Sequence, residues 1–310
     1  MQQTPARKRL PEWLRKQPGK ALPHRHMRST LGGGFHTVCE SALCPNRGEC
    51  FSRGTVTFMI LGNTCTRNCT FCAVESEQQL KTILPLDPNE PEQVAKAAYE
   101  LKLKHVVVTS VTRDDLPDEG AGQFADTIKA IRAKLPEATV EVLTPDFNGN
   151  TDLLDIVLTS VPDVFNHNVE TVPRLYPEIR PQADYQQSLG VLRYAAKGGL
   201  QSAPTIGTAS GVTTKSGLML GLGETKDEVV AVLRDLYACG VDIVTIGQYL
   251  APSPKHAKVV EYIHPDQFEE YKTIGEKLGI KQVFAGPLVR SSYRAEEVFI
   301  KNTWPGSLKS

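Results

Sequence analysis

Nothing in the chain resembles a membrane span: no apolar run approaches the roughly 18–20 residues that a spanning helix needs. No apolar core follows the first basic residues, so no signal peptide is expected. Excess charge of either sign is also missing, since the formal net charge is zero. Internal repeats and low-complexity stretches are absent as well. These absences argue against a membrane protein, a repeat array and a disordered chain. What remains is a globular composition, 40% hydrophobic and 23% charged over 310 residues. That length suits one α/β barrel. Cysteine is nearly absent outside one region. Six of the seven lie between residues 39 and 72, and Cys239 stands alone. A secreted disulfide scaffold would spread its cysteines through a small fold, so this concentration points to metal binding in a reducing compartment.

From residue 55 a pattern repeats. TVTFMIL (55–61), HVVVTS (105–110), TVEVLT (139–144), DVFNHNVE (163–170), TTKSGLMLGLG (213–223) and VDIVTIGQYL (241–250) are short, nearly continuous apolar runs, as parallel strands buried on both faces require. Helical patterns alternate with them over 91–103, 121–135, 183–197 and 224–239. A further helix over 266–279 precedes a last apolar run, 280–286. The alternation predicts a parallel sheet. Periodicity does not separate an open doubly wound sheet from a barrel.

CTRNCTFC (65–72) directly follows the first strand and carries Cys65, Cys69 and Cys72, spaced Cys-x3-Cys-x2-Cys. A loop at the C-terminal end of a barrel strand is where such folds place their chemistry. Three thiolates hold three irons of a cubane and leave one iron open. The competing interpretation is a zinc site that borrows a ligand from elsewhere, although zinc usually takes two close pairs. CESALCPNRGEC (39–50) supplies a second triplet, Cys39, Cys44 and Cys50, whose fourth ligand either comes from elsewhere or is missing. Cys239 reads as a small buried residue, and His167 as a bonded core residue rather than a ligand. Thr109, Ser110 and Arg113 follow the second strand and Asn168 and Glu170 the fourth, all at ends facing the expected site. Local hydrogen bonding in a loop explains Asn168 and Glu170 equally well.

The first triplet, with Phe71 before its last cysteine, resembles the radical S-adenosylmethionine enzymes. GLMLGLGE (217–224) resembles their Gly-x-Ile-x-Gly-x-x-Glu pattern through Gly217, Gly221 and Glu224, with Met219 in the Ile place. Alone, those glycines indicate only a tight turn into a helix. The resemblance implies a partial (β/α)6 TIM-like barrel with N- and C-terminal extensions. It also implies a [4Fe-4S] cluster on Cys65, Cys69 and Cys72, with S-adenosylmethionine on the open iron.

The two triplets together resemble the lipoyl synthase family. So do PEWLR (11–15), VTSVTRDDLPDEGA (108–121), FNHNVETVPRLYPEIRP (165–181), KSGLMLGLGET (215–225) and GPLVRSSYRA (286–295), a match from about residue 10 to 295. That resemblance implies insertion of two sulfurs at C6 and C8 of an octanoyl-lysine on a lipoyl carrier domain. It implies two [4Fe-4S] clusters, the auxiliary one donating sulfur and held by Cys39, Cys44, Cys50 and Ser292, the second serine of RSSY. Without the family, that serine would read as a turn residue. Thr109, Ser110, Asn168, Glu170, Gly221 and Glu224 become candidate S-adenosylmethionine contacts, with Asn168 or Glu170 on its ribose or methionine end.

The implied partners are octanoylated 2-oxoacid dehydrogenase E2 domains and the glycine cleavage H protein, a ferredoxin or flavodoxin reductant, and an iron–sulfur cluster carrier. Neither nucleic acid nor membrane is expected, and the expected location is the bacterial cytoplasm. Three parts are expected: residues 1–53 as a basic arm and auxiliary cysteine loop, 54–265 as the barrel, and 266–310 as a covering C-terminal segment. The arm holds Arg7, Lys8, Arg9, Arg15, Lys16, Lys20, Arg25 and Arg28 against Glu12 alone. It reads either as a solvated tail, with a transit-peptide remnant as one variant, or as a docking arm for an acidic carrier domain. The rivals are another radical enzyme with an auxiliary cluster, such as a methylthiotransferase or biotin synthase relative, and a non-catalytic iron–sulfur or zinc module.

Overall fold

The structure is a computed structural model that describes residues 10–15, 36–42, 44–53, 55–199 and 212–292. Seven parallel strands run in chain order across one sheet: β1 (Thr57–Ile60), β2 (His105–Ser110), β3 (Thr139–Leu143), β4 (Val164–Asn166), β5 (Thr213–Leu220), β6 (Ile243–Gln248) and β7 (Gln282–Gly286). Helices follow the first six: α1 (Glu90–Glu100), α2 (Ala121–Lys134), α3 (Thr151–Thr159), α4 (Tyr185–Ala196), α5 (Lys226–Ala238) and α6 (Pro265–Leu278). A short strand, His36–Thr37, pairs antiparallel with β1 and forms the far edge. Among the described residues the two edge strands do not pair, so the sheet is open, as in a partial barrel.

The six expected strands are all present. The run 280–286 adds a seventh, in register with β6 from Gln282↔Ile243 to Gly286↔Gly247. The helix α3 was not expected from the sequence. It has only nine residues, four of them β-branched, yet Asn150 caps it by accepting from Asp152 N, and Leu153, Leu154 and Val157 are buried. The fourth strand is shorter than its apolar run. It leaves the ladder after Asn166 and rejoins β5 at an isolated Glu170↔Leu218 bridge, with Glu170 at φ +64°. A left-handed backbone is costly for a residue with a β-carbon, and such strain gathers at functional sites.

Helix ends follow local chemistry. Thr225 and Glu228 close a capping box on α5, and Gly279 ends α6 in the left-handed region. The helices cover the outer sheet face, where Val140, Val142 and Phe165 are fully buried. The opposite, inward positions of β2 to β5 carry His105, Glu141, Asn166 and Lys215. Lys215 Nζ donates to Glu141 Oε1 at 2.8 Å, Asn166 Nδ2 donates to the same oxygen at 3.1 Å, and His105 Nε2 pairs with Glu141 Oε2 at 3.3 Å. Glu141 and Lys215 are each 1% exposed. Burial alone would raise the Glu141 carboxyl, but Lys215 and His105 outweigh it and hold the carboxyl at about 2. A charged centre therefore fills the barrel where apolar layers are usual.

Candidate active site

The cysteine loop leaves β1 through a turn with Leu61 at φ +69° and Gly62 at φ +87°. The Glu90 carboxylate, in the first turn of α1, accepts from Leu61 N at 2.8 Å and Gly62 N at 3.4 Å. Arg113 Nη1 donates to Leu61 O at 3.3 Å while its fork grips Asp115. Beyond the turn, Thr64–Cys65 pairs with Glu75–Ser76 and closes the loop on itself.

Four neighbouring segments hold the loop. Arg67 chelates Asp114 through Nε and Nη2, at 2.9 and 2.8 Å, and donates Nη1 to Asp146 at 2.8 Å. These bonds push the Arg67 guanidinium up despite burial and hold the Asp146 carboxyl at about 2. Thr70 N donates to Ile179 O, and Ala257 N donates to Thr70 O. His256 Nε2 bonds Cys72 O at 3.0 Å. Cys65 Sγ accepts from Thr112 N at 3.3 Å and Arg67 N at 3.4 Å. Burial pushes the Cys69 thiol up, and Cys72 up to about 12. Both therefore stay protonated until a metal displaces the proton.

Among the described residues no three His, Cys, Asp or Glu side chains converge on a single metal ion. Three half-buried thiols on one braced loop fit a group that takes three thiolates.

Toward the barrel interior, Asn168 Nδ2 donates to Glu170 Oε1 at 3.0 Å, and Arg180 Nη1 donates to Asn168 O at 3.1 Å. Burial raises the Glu170 carboxyl against the Arg180 charge. Ser110 Oγ and Asn166 Oδ1 are buried without a hydrogen-bond partner among the described residues, which leaves polar capacity for a ligand. Thr109 Oγ1 instead donates to Leu143 O at 2.8 Å. Glu224 folds its own turn, accepting from Gly221 N and Leu222 N at 2.6 and 2.9 Å. Gly221 has φ +96°, and a Cβ there would meet Gln248 Nε2 at 2.2 Å and Glu261 O at 2.4 Å. His167 is a core residue, bonding Thr144 O and Ser188 Oγ, and burial holds it down at about 4. Cys239 is buried and accepts from Arg193 Nη2 at 3.4 Å.

The second triplet sits on two short helical segments, Val38–Ser41 and Arg47–Ser52. The antiparallel pairing His36↔Met59 carries them to the edge of β1. Cys39, Cys44 and Cys50 line one pocket together with Asn46, Thr55, Val56, Thr57, Arg290 and Ser292. Burial pushes the Cys39 thiol up to about 11. Asn46 Nδ2 donates to Leu288 O at 2.7 Å and so ties this loop to the C-terminal segment. Three thiols and a hydroxyl make four donors, the number that a four-iron group takes, so the residues fit one.

Of the basic arm, only residues 10–15 are described. Trp13 meets the His264 ring edge-on at 5.0 Å, and Leu14 is buried. Arg7, Lys8, Arg9, Lys16, Lys20, Arg25 and Arg28 lie outside the described residues, as does Tyr293 of RSSY. Sequence reasoning missed Arg180 and the partners of Arg67. It also missed the Glu141–Lys215 pair, although a charge in the middle of each apolar strand was a usable signal.

A parallel α/β sheet with a three-cysteine loop at the end of β1 defines a radical S-adenosylmethionine enzyme. Residues 59–236 match the model of the Radical SAM superfamily. The crystal structure of HydG, a maturase of the FeFe-hydrogenase, overlays with a TM-score of 0.55 at 17% identity, covering 73% of this chain and 49% of that one. At that identity the likeness shows fold alone. The lipoyl synthase of Oleidesulfovibrio alaskensis is 54% identical over 93% of this chain and 94% of its own length. That of Caldanaerobacter subterraneus subsp. tengcongensis is 54% identical over 93% and 96%. The chain belongs to the lipoyl synthase family.

Proposed function

We propose that the chain performs the lipoyl synthase reaction with two [4Fe-4S] clusters held by two separate donor sets. Cys65, Cys69 and Cys72 hold the catalytic cluster, leaving its fourth iron to S-adenosylmethionine. Cys39, Cys44, Cys50 and Ser292 hold the auxiliary cluster. When bound, these groups supply a 5′-deoxyadenosyl radical for the unactivated C6 and C8 positions of a protein-bound octanoyl-lysine, and the sulfur that replaces hydrogen there.

The chain's own residues position and exclude. Glu90, Arg113 and Arg67 fix the catalytic loop. Asn168 and Glu170, with the Ser110 hydroxyl, face the S-adenosylmethionine side; burial disfavours the Glu170 carboxylate, and a cationic ligand beside it would restore the charge. Thr109, Gly221 and Glu224 support that side by shaping its walls and turn. A serine oxygen is harder than thiolate and a weaker partner for iron in a sulfide cube. Ser292 is therefore the ligand released most easily when the cluster opens.

The observation that carries this reading is that Ser292, 242 positions beyond Cys50, lines the same cavity as the three cysteines. Octanoylated E2 and H-protein domains serve as substrates in this reading. A ferredoxin or flavodoxin supplies electrons, and an iron–sulfur carrier restores the spent cluster. Among the described residues no helix is long and apolar enough to cross a membrane; a cytoplasmic site fits the thiol chemistry. The arm to residue 53, the barrel of 54–265 and the segment from 266, which adds α6 and then β7 on the same sheet before it carries Ser292, act as its three parts.

The test is iron content with Mössbauer spectra after anaerobic reconstitution, on the native chain and on Cys39/Cys44/Cys50→Ala. About eight irons and about four, respectively, are expected. About four in both would leave the reading without its sulfur source.

A further inference from the structure

The segment after β7 has no regular structure from Pro287 to Ser292, yet it must present Ser292 to the cavity. Three contacts hold it. Asn46 Nδ2 grips Leu288 O from the cysteine side. Val289 O passes so close to β6 that a Cβ on Gly247 would sit 2.1 Å from it, so only glycine lets the segment cross there. The third contact enters the barrel: Ser291 Oγ accepts from Asn166 Nδ2 at 2.8 Å and donates to Asn168 Oδ1 at 3.1 Å. Both asparagines are buried. Asn168 in turn donates to Glu170. One hydroxyl thus joins the segment bearing Ser292 to the side chains that face the catalytic loop.

The geometry points to Ser291 as a positioning residue that anchors Ser292 over the cysteine cavity through its double hydrogen bond to Asn166 and Asn168. The inference rests on the proposed role of Ser292 as an iron ligand. Its physical basis is preorganisation. A single weak oxygen ligand on an irregular segment has to order that segment each time it binds, and a buried tether removes most of that cost. The Ser291 tether reaches β4, so the barrel holds the fourth ligand in addition to the triplet's own loop, which reaches the segment through Asn46. The single O–H of Ser291 is committed to Asn168 and one of its two lone pairs to Asn166.

The experiment compares Ser291→Thr, Ser291→Val and Ser292→Ala in the full chain after anaerobic reconstitution. The Thr and Val side chains have nearly equal volume and differ in the hydroxyl. The readouts are iron per chain, the Mössbauer spectrum of each cluster, and the rate at which a chelator removes iron from the auxiliary cluster. The expected result is that Ser291→Thr behaves as the native chain. Ser291→Val should lose auxiliary iron about tenfold faster or more, as the loss of two buried hydrogen bonds predicts, and approach Ser292→Ala. The catalytic cluster's spectrum should stay unchanged in all three. If both Ser291 variants lose iron equally fast, the effect is steric and the tether is refuted. If neither does while Ser292→Ala is labile, the tether is refuted and the Ser292 assignment stands. If Ser292→Ala itself keeps its iron like the native chain, the ligand assignment fails and the inference falls with it.

Discussion

Arg67 and Asp146 lie 79 positions apart and meet through a buried 2.8 Å ion pair. Arg67 belongs to the cysteine loop after β1, and Asp146 to the loop after β3. The pair therefore binds the first catalytic segment to the third barrel unit, while Asp114 adds the second.

Breaking that clamp should loosen the loop. Arg67→Met removes one partner of a buried pair and leaves Asp146 uncompensated, a change that costs about 3–5 kcal/mol. Chemical denaturation of the metal-free chain should register this loss. Reconstituted Arg67→Met should also retain less iron at Cys65, Cys69 and Cys72 than at the auxiliary cavity, as read by Mössbauer spectra.

The Glu141–Lys215 pair should be strongly coupled. Lys215→Met alone is expected to destabilise by about 3–5 kcal/mol, because it strands a buried carboxylate. Combining it with Glu141→Gln should recover more than half of that loss. A double-mutant cycle by urea denaturation gives the coupling directly.

Stability should depend on pH through His167. Burial lowers its folded pKa to about 4, below the ordinary imidazole value of about 6.5. Between those values the unfolded chain binds a proton that the folded chain refuses, so stability rises as pH increases from about 4 to 6.5. The shift corresponds to roughly 3 kcal/mol across the window. Glu141 and Asp146, both held at about 2 when folded, add to the slope only near the lower end of this window, where their unfolded carboxyls begin to take up protons, so the upper half reports His167. His167→Gln should flatten this slope in thermal melts of the metal-free chain. An unchanged slope would place the titrating group elsewhere.

Gly221→Ala combines a left-handed backbone with a collision against Gln248 and the Glu261 carbonyl. The expected cost is about 2–4 kcal/mol, from backbone strain and overpacking together. Weaker S-adenosylmethionine binding should accompany it in calorimetry, since the Glu224 turn is built on that glycine.

Cys239→Ser should leave the iron content at the native level. Its thiol is buried between α4 and α5 and meets Arg193, away from both triplets. Loss of half the iron would overturn that placement.

The sequence by itself determined the alternation of strands and helices, because apolar periodicity and capping are local properties. It also determined both cysteine triplets, whose ligand spacing lies within a single loop each. The nine-residue α3 escaped it, since a short mixed apolar run carries little period. The tertiary structure alone decided which distant groups meet: Ser292 with Cys50, Arg67 with Asp146, Lys215 with Glu141, and Ser291 with Asn166 and Asn168. The physical reason is that each of these contacts spans 74 positions or more. No local propensity encodes such a pairing. It follows only once the parallel strands have brought their C-terminal ends to one mouth and the last strand has turned its segment back over the first.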